Sequence, residues 1–175
     1  MIRLALGAAC LSFCVVFAPA KAAPLLSITP ALPETTWALP AKVCGGFVAD
    51  QLNLVVSDRG KILAQNTFCS SYGSAKARLI TDHAHHHFVL LEYKAGRGAN
   101  ATTTYLALDR LDPELTEVLR VPLSWGTGPT ARFTYHYTVG LPAPGGVDLI
   151  LKGQEDGRPD CCVPRASNLT IHVSN

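Results

Sequence analysis

The sequence predicts an all-β protein, built as a single-domain antiparallel β-sandwich or barrel of about eight or nine short strands. Three observations carry that expectation. From Gly45 onward apolar residues recur at every second position, the period of a strand with one buried face. Clusters of Gly, Pro, Asp, Asn and Ser interrupt this pattern at short intervals. The chain also lacks a clear amphipathic helical stripe; Asp112 to Arg120 is the one segment that could form a short helix instead. No repeat regular enough for a propeller is present.

The chain opens on what reads as an export signal, residues 1–22. Arg3 gives a positive start, and Leu4 to Phe17 form an apolar stretch of about 14 residues, too short for a bilayer of ~30 Å hydrocarbon. Ala20-Lys21-Ala22 supplies the small-x-small pattern of a cleavage site, which would leave Ala23 as the new N-terminus. Residues 23–43 hold Pro24, Pro30, Pro33 and Pro40, a spacing that forbids a helix and predicts an extended lead-in lying over the domain. Trp37 would pin that lead-in by packing. The β domain itself is expected over residues 44–175.

Within the domain, Leu52, Leu54 and Val56 alternate with Gln51, Asn53 and Val55. Ser57-Asp58-Arg59-Gly60 turns the chain into a returning strand, Lys61 to Phe68. Phe88 to Tyr93 is a second strong run, and Ala95 to Asn100 turns it into the Thr-rich segment Thr102 to Leu108. Asp109 to Glu114 leads to Leu115 to Val121. Ala131 to Val139 shows the cleanest alternation, with Phe133, Tyr135 and Tyr137 on one face and Arg132, Thr134 and His136 on the other. Pro142 to Gly146 ends it. Val147, Leu149 and Leu151 mark the next strand, Gly153 to Arg165 a polar loop, and Leu169, Ile171 and Val173 the closing strand.

Charge and cysteine content narrow the function classes. Without Arg3 and Lys21, 13 basic residues balance 13 acidic ones, and no run of Lys or Arg exists. Nucleic-acid partners, which want a basic patch or stripe, are therefore not expected. Nor is membrane insertion after cleavage, since no second apolar segment of bilayer length follows. Four cysteines remain: Cys44, Cys69, Cys161 and Cys162, an even number that reads as two disulfides in an oxidising, periplasmic or extracellular space. Connectivity stays open. Cys44–Cys69 pairing would leave Cys161 and Cys162 in a strained vicinal ring, whereas the cross-pairings would staple the C-terminal loop to the hairpin. A turn centred on Ser57 to Gly60 would set Cys69 opposite Val48, about four residues from Cys44.

The sharpest local feature is Asp82-His83-Ala84-His85-His86-His87. On an extended strand His83, His85 and His87 would share a face at intervals of about 7 Å, close enough to converge on zinc or divalent copper, with Asp82 orienting a ring. The same alternation continues into Val89, Leu91 and Tyr93, which read as core-facing, so an exposed polar lead-in to a strand is the competing interpretation. His136 and His172 would meet if their strands are neighbours. Trp125, in a Gly-containing segment read as a loop, is a candidate ligand platform or partner anchor as well as a packing residue. The Gly-rich segments at Gly96 and Gly126 imitate a dinucleotide fingerprint, but a strand follows each where a helix should open. No Gly-x-Ser-x-Gly or Ser-x-x-Lys motif occurs.

The sequence thus points to a non-enzymatic exported β domain that binds an envelope component, an extracellular protein or a small ligand, without a resident cofactor. The alternative is a metal-handling protein built on His83, His85 and His87. Edman sequencing of protein recovered from an exporting host should begin at Ala23, and unfolded, unreduced protein should give no free thiol. An intact Met1 terminus, or four titratable thiols, would contradict this part of the account.

Overall fold

The computed structural model describes residues 24–30, 49–71, 74–96, 102–127, 131–156 and 166–174. These residues form ten strands in two antiparallel sheets, with no helix among them. The first sheet has the order β1 (Leu25–Pro30), β2 (Ala49–Asp58), β3 (Lys61–Ser71). The second is an unbroken meander: β4 (Ala75–Thr81), β5 (His87–Ala95), β6 (Thr103–Leu111), β7 (Leu115–Gly126), β8 (Arg132–Gly140), β9 (Val147–Asp156) and β10 (Ala166–Val173). Its terminal strands β4 and β10 do not pair with each other, so the barrel alternative is not realised.

Each connection follows from its residues. Asp58-Arg59-Gly60-Lys61 closes the β2–β3 hairpin with two residues, Arg59 and Gly60, both at positive φ (49° and 81°). Such a turn matches the natural twist of the paired strands. It sits one residue later than the sequence suggests, and a bulge lies at Val56/Ser57. Cys69 therefore faces Gln51 rather than Val48. Asp112 to Glu114 is a tight turn in which the Asp112 N–H donates to the Glu114 carbonyl, and β7 begins at Leu115, so the helical option for Asp112 to Arg120 is not taken. β4 was not visible as a strand in the sequence because its residues, Ala-Lys-Ala-Arg-Leu-Ile-Thr, carry little apolar contrast between faces. Leu25–Pro30, the described part of the Pro-rich segment, pairs residue for residue with Leu52–Ser57 as strand β1.

Burial explains why the period-two signal fades in the middle of the chain. In β5, Phe88 to Leu91 are buried without interruption, as are Leu106 to Asp109 in β6. Both strands are covered on both faces. On one side Leu54 and Val56 of β2, with Leu26, Ile28 and Phe68 around them, pack against Val89, Leu91, Tyr93 and Ala107. On the other side β8–β10 fold back over β4–β7, so that Val147, Leu149, Leu151 and the partly buried Tyr135, Tyr137, Val139 and Ile171 meet Ile80, Phe88, Leu90, Leu106, Leu108 and Leu123. A strand buried on both faces reads as a continuous apolar run instead of an alternation.

The fold-back is possible because β7 and β8 separate. They pair only through Ser124–Thr134, Trp125–Phe133 and Gly126–Arg132, while β8 and β9 pair along all nine residues of β8. Beyond Thr134, β8 leaves β7 and crosses the inner face toward β4 and β5. Its start is fixed by Arg132, whose guanidinium donates to the Ser124 hydroxyl (2.7 Å) and to the Thr102 carbonyl (2.7 Å). Gly153 lets the Phe133 and Tyr135 rings, set edge to face, close against β9: a Cβ there would meet both rings at 2.5 Å. Trp125 then stacks on Phe133 at 4.8 Å, which makes an aromatic layer at the point of divergence.

One buried charge opposes this packing. Asp109 lies between the layers beside Glu117, and burial, reinforced by the Glu117 carboxylate and opposed by Arg120, raises its pKa to about 6 from 3.8. Its folded value exceeds its unfolded one, so the folded state holds the proton more tightly and loses stability as pH rises from about 4 to 6. Asp109→Asn should remove that decline, leaving the variant about 2 kcal/mol more stable than wild type at pH 7 and no more stable near pH 4. Urea melts at the two pH values measure it; parallel pH profiles for the two proteins would refute the assignment.

Candidate functional site

The histidine-rich segment does not form a strand. β4 ends at Thr81 and β5 begins at His87, and the residues between them make a tight turn in which the Asp82 N–H donates to the His86 carbonyl and the His85 N–H to the Asp82 carbonyl. His85 takes a positive φ of 67°, a conformation uncommon for a side-chain-bearing residue. The extended geometry that would align His83, His85 and His87 is therefore replaced by a reversal that turns His83 and His85 to solvent. His87 instead meets Thr81 across the β4–β5 ladder, with Nδ1 2.9 Å from Oγ1. Among the described residues no group of three His, Cys, Asp or Glu side chains gathers in a metal-binding arrangement.

Asp82, not the imidazoles, organises this turn. Its side chain is fully buried and accepts from the backbone N–H groups of Ala84 (2.9 Å) and His86 (2.8 Å) through Oδ1. Oδ2 accepts from the Gly146 N–H (2.7 Å) and lies 3.1 Å from His86 Nδ1. The Gly146 bond reaches across the molecule to the β8–β9 connection. That connection can approach because it carries glycines at the contact: a Cβ on Gly145 would lie 2.9 Å from the Ala84 Cβ, and one on Gly146, at φ 97°, would lie 2.6 Å from the Val173 carbonyl oxygen. Burial by itself would raise the Asp82 pKa, but the N–H groups of Gly146 and His86 and the His86 ring outweigh it and lower the pKa to about 2.

The other sequence candidates separate. His136 pairs with Lys152 and His172 with Asp148, on strands that flank β9 from opposite sides, so the two rings do not meet. His172 Nδ1 instead lies 2.7 Å from Asp148 Oδ1 at the surface. Trp125 belongs to β7 rather than to a loop; it is half-buried against Phe133 and Tyr135, the packing role. Cys69, near the end of β3, is disulfide-bonded; Cys44, Cys161 and Cys162 lie outside the described residues, as does the expected signal at residues 1–22.

What the structure brings together instead is an open corner on the inner face of the meander. The side chains of β4, β5 and β6 on that face are apolar at one end, with Ile80, Phe88, Leu90, Leu106 and Leu108, and polar at the other, with Lys76, Arg78, Glu92, Lys94 and Thr104. Because β8 crosses obliquely, β8–β10 cover the apolar end and leave the polar end open. Three adjoining depressions of about 600, 400 and 260 Å³ occupy this corner, and Glu92 borders all of them. Tyr137 of β8 borders the two larger ones. Burial and the Glu92 carboxylate raise the Tyr137 pKa, with Arg78 opposing, so its hydroxyl stays protonated as a donor at the edge of the corner.

Sequence reasoning passed over these residues because Lys76, Glu92 and Lys94 look like ordinary solvated charges. One signal was available. Phe88, Leu90, Glu92 and Lys94 share a face at period two, so a strand that is apolar for two positions turns ionic for the next two. Comparison with protein-family models, with curated proteins and with solved structures gives no match to this chain.

The Asp82 geometry sets an acid limit on the assembly. Its folded pKa lies below its unfolded value, so its stabilisation is present above about pH 4 and is lost as pH falls toward 2. Asp82→Ala, which leaves several buried N–H groups without an acceptor, should cost about 3 kcal/mol at pH 7. The same variant should lack the wild-type loss of stability between pH 4 and 2. Chemical denaturation across that range checks both; a neutral Asp82→Ala would show that the bonds contribute nothing.

Proposed function

We propose that this chain is an exported, disulfide-stabilised β domain that acts by binding, and that the open corner around Glu92 receives its ligand or envelope partner. The leader-like residues 1–22 and the cysteine count support the compartment. The placement of polar side chains supports the binding role: Lys76, Arg78, Glu92, Lys94 and Thr104 stand on paired strands, on a face that is otherwise core. Groups carried on paired strands need no backbone rearrangement when a ligand arrives, which favours recognition. A concavity with a few convergent polar groups beside apolar and aromatic walls is the usual form of a binding site. The groups present are those of recognition: two aliphatic ammonium groups, a guanidinium, a carboxylate, a phenol and hydroxyls. The observation that carries the reading is this polar break in an apolar inner face.

Thr104 borders two of the three depressions, so Thr104→Trp fills the corner without touching the apolar end. Isotope-labelled protein titrated with separate peptide and oligosaccharide pools from the cell envelope should show amide shifts at Glu92, Thr104 and Tyr137 with at least one pool. Thr104→Trp should weaken that response at least tenfold. Shifts confined to β10 or to the three-stranded sheet would overturn the assignment.

A further inference from the structure

We infer that the ligand of this corner is an extended, acidic peptide segment, which adds as a strand to the free edge of β8. The inference rests on the binding role proposed above and specifies what binds. β8 pairs with β9 along its whole length, but its other edge pairs with β7 only from Arg132 to Thr134. From Tyr135 to Gly140 that edge has no strand beside it among the described residues. Alternate N–H and C=O groups along it point away from β9, as they must in any antiparallel strand. Tyr135 to Gly140 are half-buried or exposed, and none of them is fully buried. An unpaired edge of this kind is a template for an added strand.

Other strand edges exist, on β1, β3, β4 and β10, and on β7 from Leu115 to Leu123, where it parts from β8. β8 differs from them because its free stretch opens onto the depressions: Tyr137, Thr138 and Val139 form one wall of the largest, and Lys76, Arg78 and Glu92 stand opposite. At about 3.3 Å per residue, the six residues from Tyr135 to Gly140 present roughly 20 Å of edge, enough to pair with five or six residues of a partner. Every second side chain of that partner would point into the corner. Its charge follows from what awaits it. Lys76, Arg78 and Lys94 form no ion pair among the described residues, whereas the one carboxylate, Glu92, has the Tyr137 hydroxyl as a neighbour. Lys152, the cross-strand neighbour of His136 on β9, adds a further positive charge on the outer face of β8 and β9. A partner carrying Asp or Glu at alternate positions complements this set, and one carrying Lys is repelled.

The experiment uses two synthetic nine-residue probes, one alternating Glu with Val and one alternating Lys with Val, added to the mature chain. Amide hydrogen exchange, isothermal titration and sedimentation are read together. The Glu peptide should bind one to one, slow exchange at alternate amides between Tyr135 and Gly140, and weaken steeply with salt. The Lys peptide should bind at least tenfold more weakly. Lys76→Glu combined with Arg78→Glu, both exposed positions, should reverse that preference, with a cooperative thermal unfolding transition showing that the variant still folds. Protection on β1, β3, β4, β7 or β10 instead, equal binding of both probes, failure of the Glu peptide to bind, or self-association that excludes it would each overturn the inference. If the Glu peptide fails while another envelope ligand still shifts Glu92 and Thr104, the strand inference falls and the binding role of the corner stands. If neither binds, both fall.

Discussion

The fold depends on a buried carboxylate that holds two turns together. Asp82 fixes the β4–β5 turn through the N–H groups of Ala84 and His86, and reaches the β8–β9 connection through Gly146. That contact, together with the Tyr137 hydroxyl beside Glu92, ties the far end of β8 to the first half of the meander. The near end is tied by Arg132 to Ser124 and Thr102. Between these two pins β8 must cross the inner face obliquely. The oblique path decides which side chains of β4, β5 and β6 are covered and which are left in the corner. Burying a carboxylate is costly unless its acceptor sites are filled, and here donors surround both oxygens. Asn could not take its place, since its amide nitrogen would face one set of donors.

The three-layer packing accounts for the remainder. β5 and β6 lie in the middle layer and have no solvent face, so their apolar residues run consecutively. The cost appears where a polar side chain is caught inside that layer, as with Asp109, whose raised pKa records its burial. The aromatic layer of Trp125, Phe133 and Tyr135 over Gly153 fills the wedge where β8 leaves β7. Large rings suit that position because two diverging strands leave a space too wide for aliphatic side chains.

Much of the fold was legible in the sequence, and the reasons are local. The alternation in Leu52 to Val56 and in Arg132 to Val139, and the turn residues at Asp58 to Gly60 and Pro142 to Gly146, act over a few residues and survive in any tertiary setting. β4 was missed because its face-to-face contrast is weak, and β7 was cut short because the Gly beside Trp125 looked like the beginning of a loop. The histidine cluster misled for a different reason. Its spacing suits a strand, but Asp82 at its head forms a side-chain turn with residues two and four positions later, and that turn overrides the extended form. The corner was hidden because it is defined by what β8 fails to cover, a tertiary fact with only a faint trace in the Phe88 to Lys94 pattern.

The most direct test of the Asp82 tie is the acid titration of individual amide protons by NMR. A backbone N–H bonded to a carboxylate shifts when that carboxylate takes up a proton. The amides of Gly146, Ala84 and His86 should titrate together with a midpoint near pH 2, although Gly146 is far from the other two in the chain. A Gly146 amide that ignores acid, or that follows a midpoint near 4 shared with surface carboxylates, would show that Asp82 does not hold β8 in place.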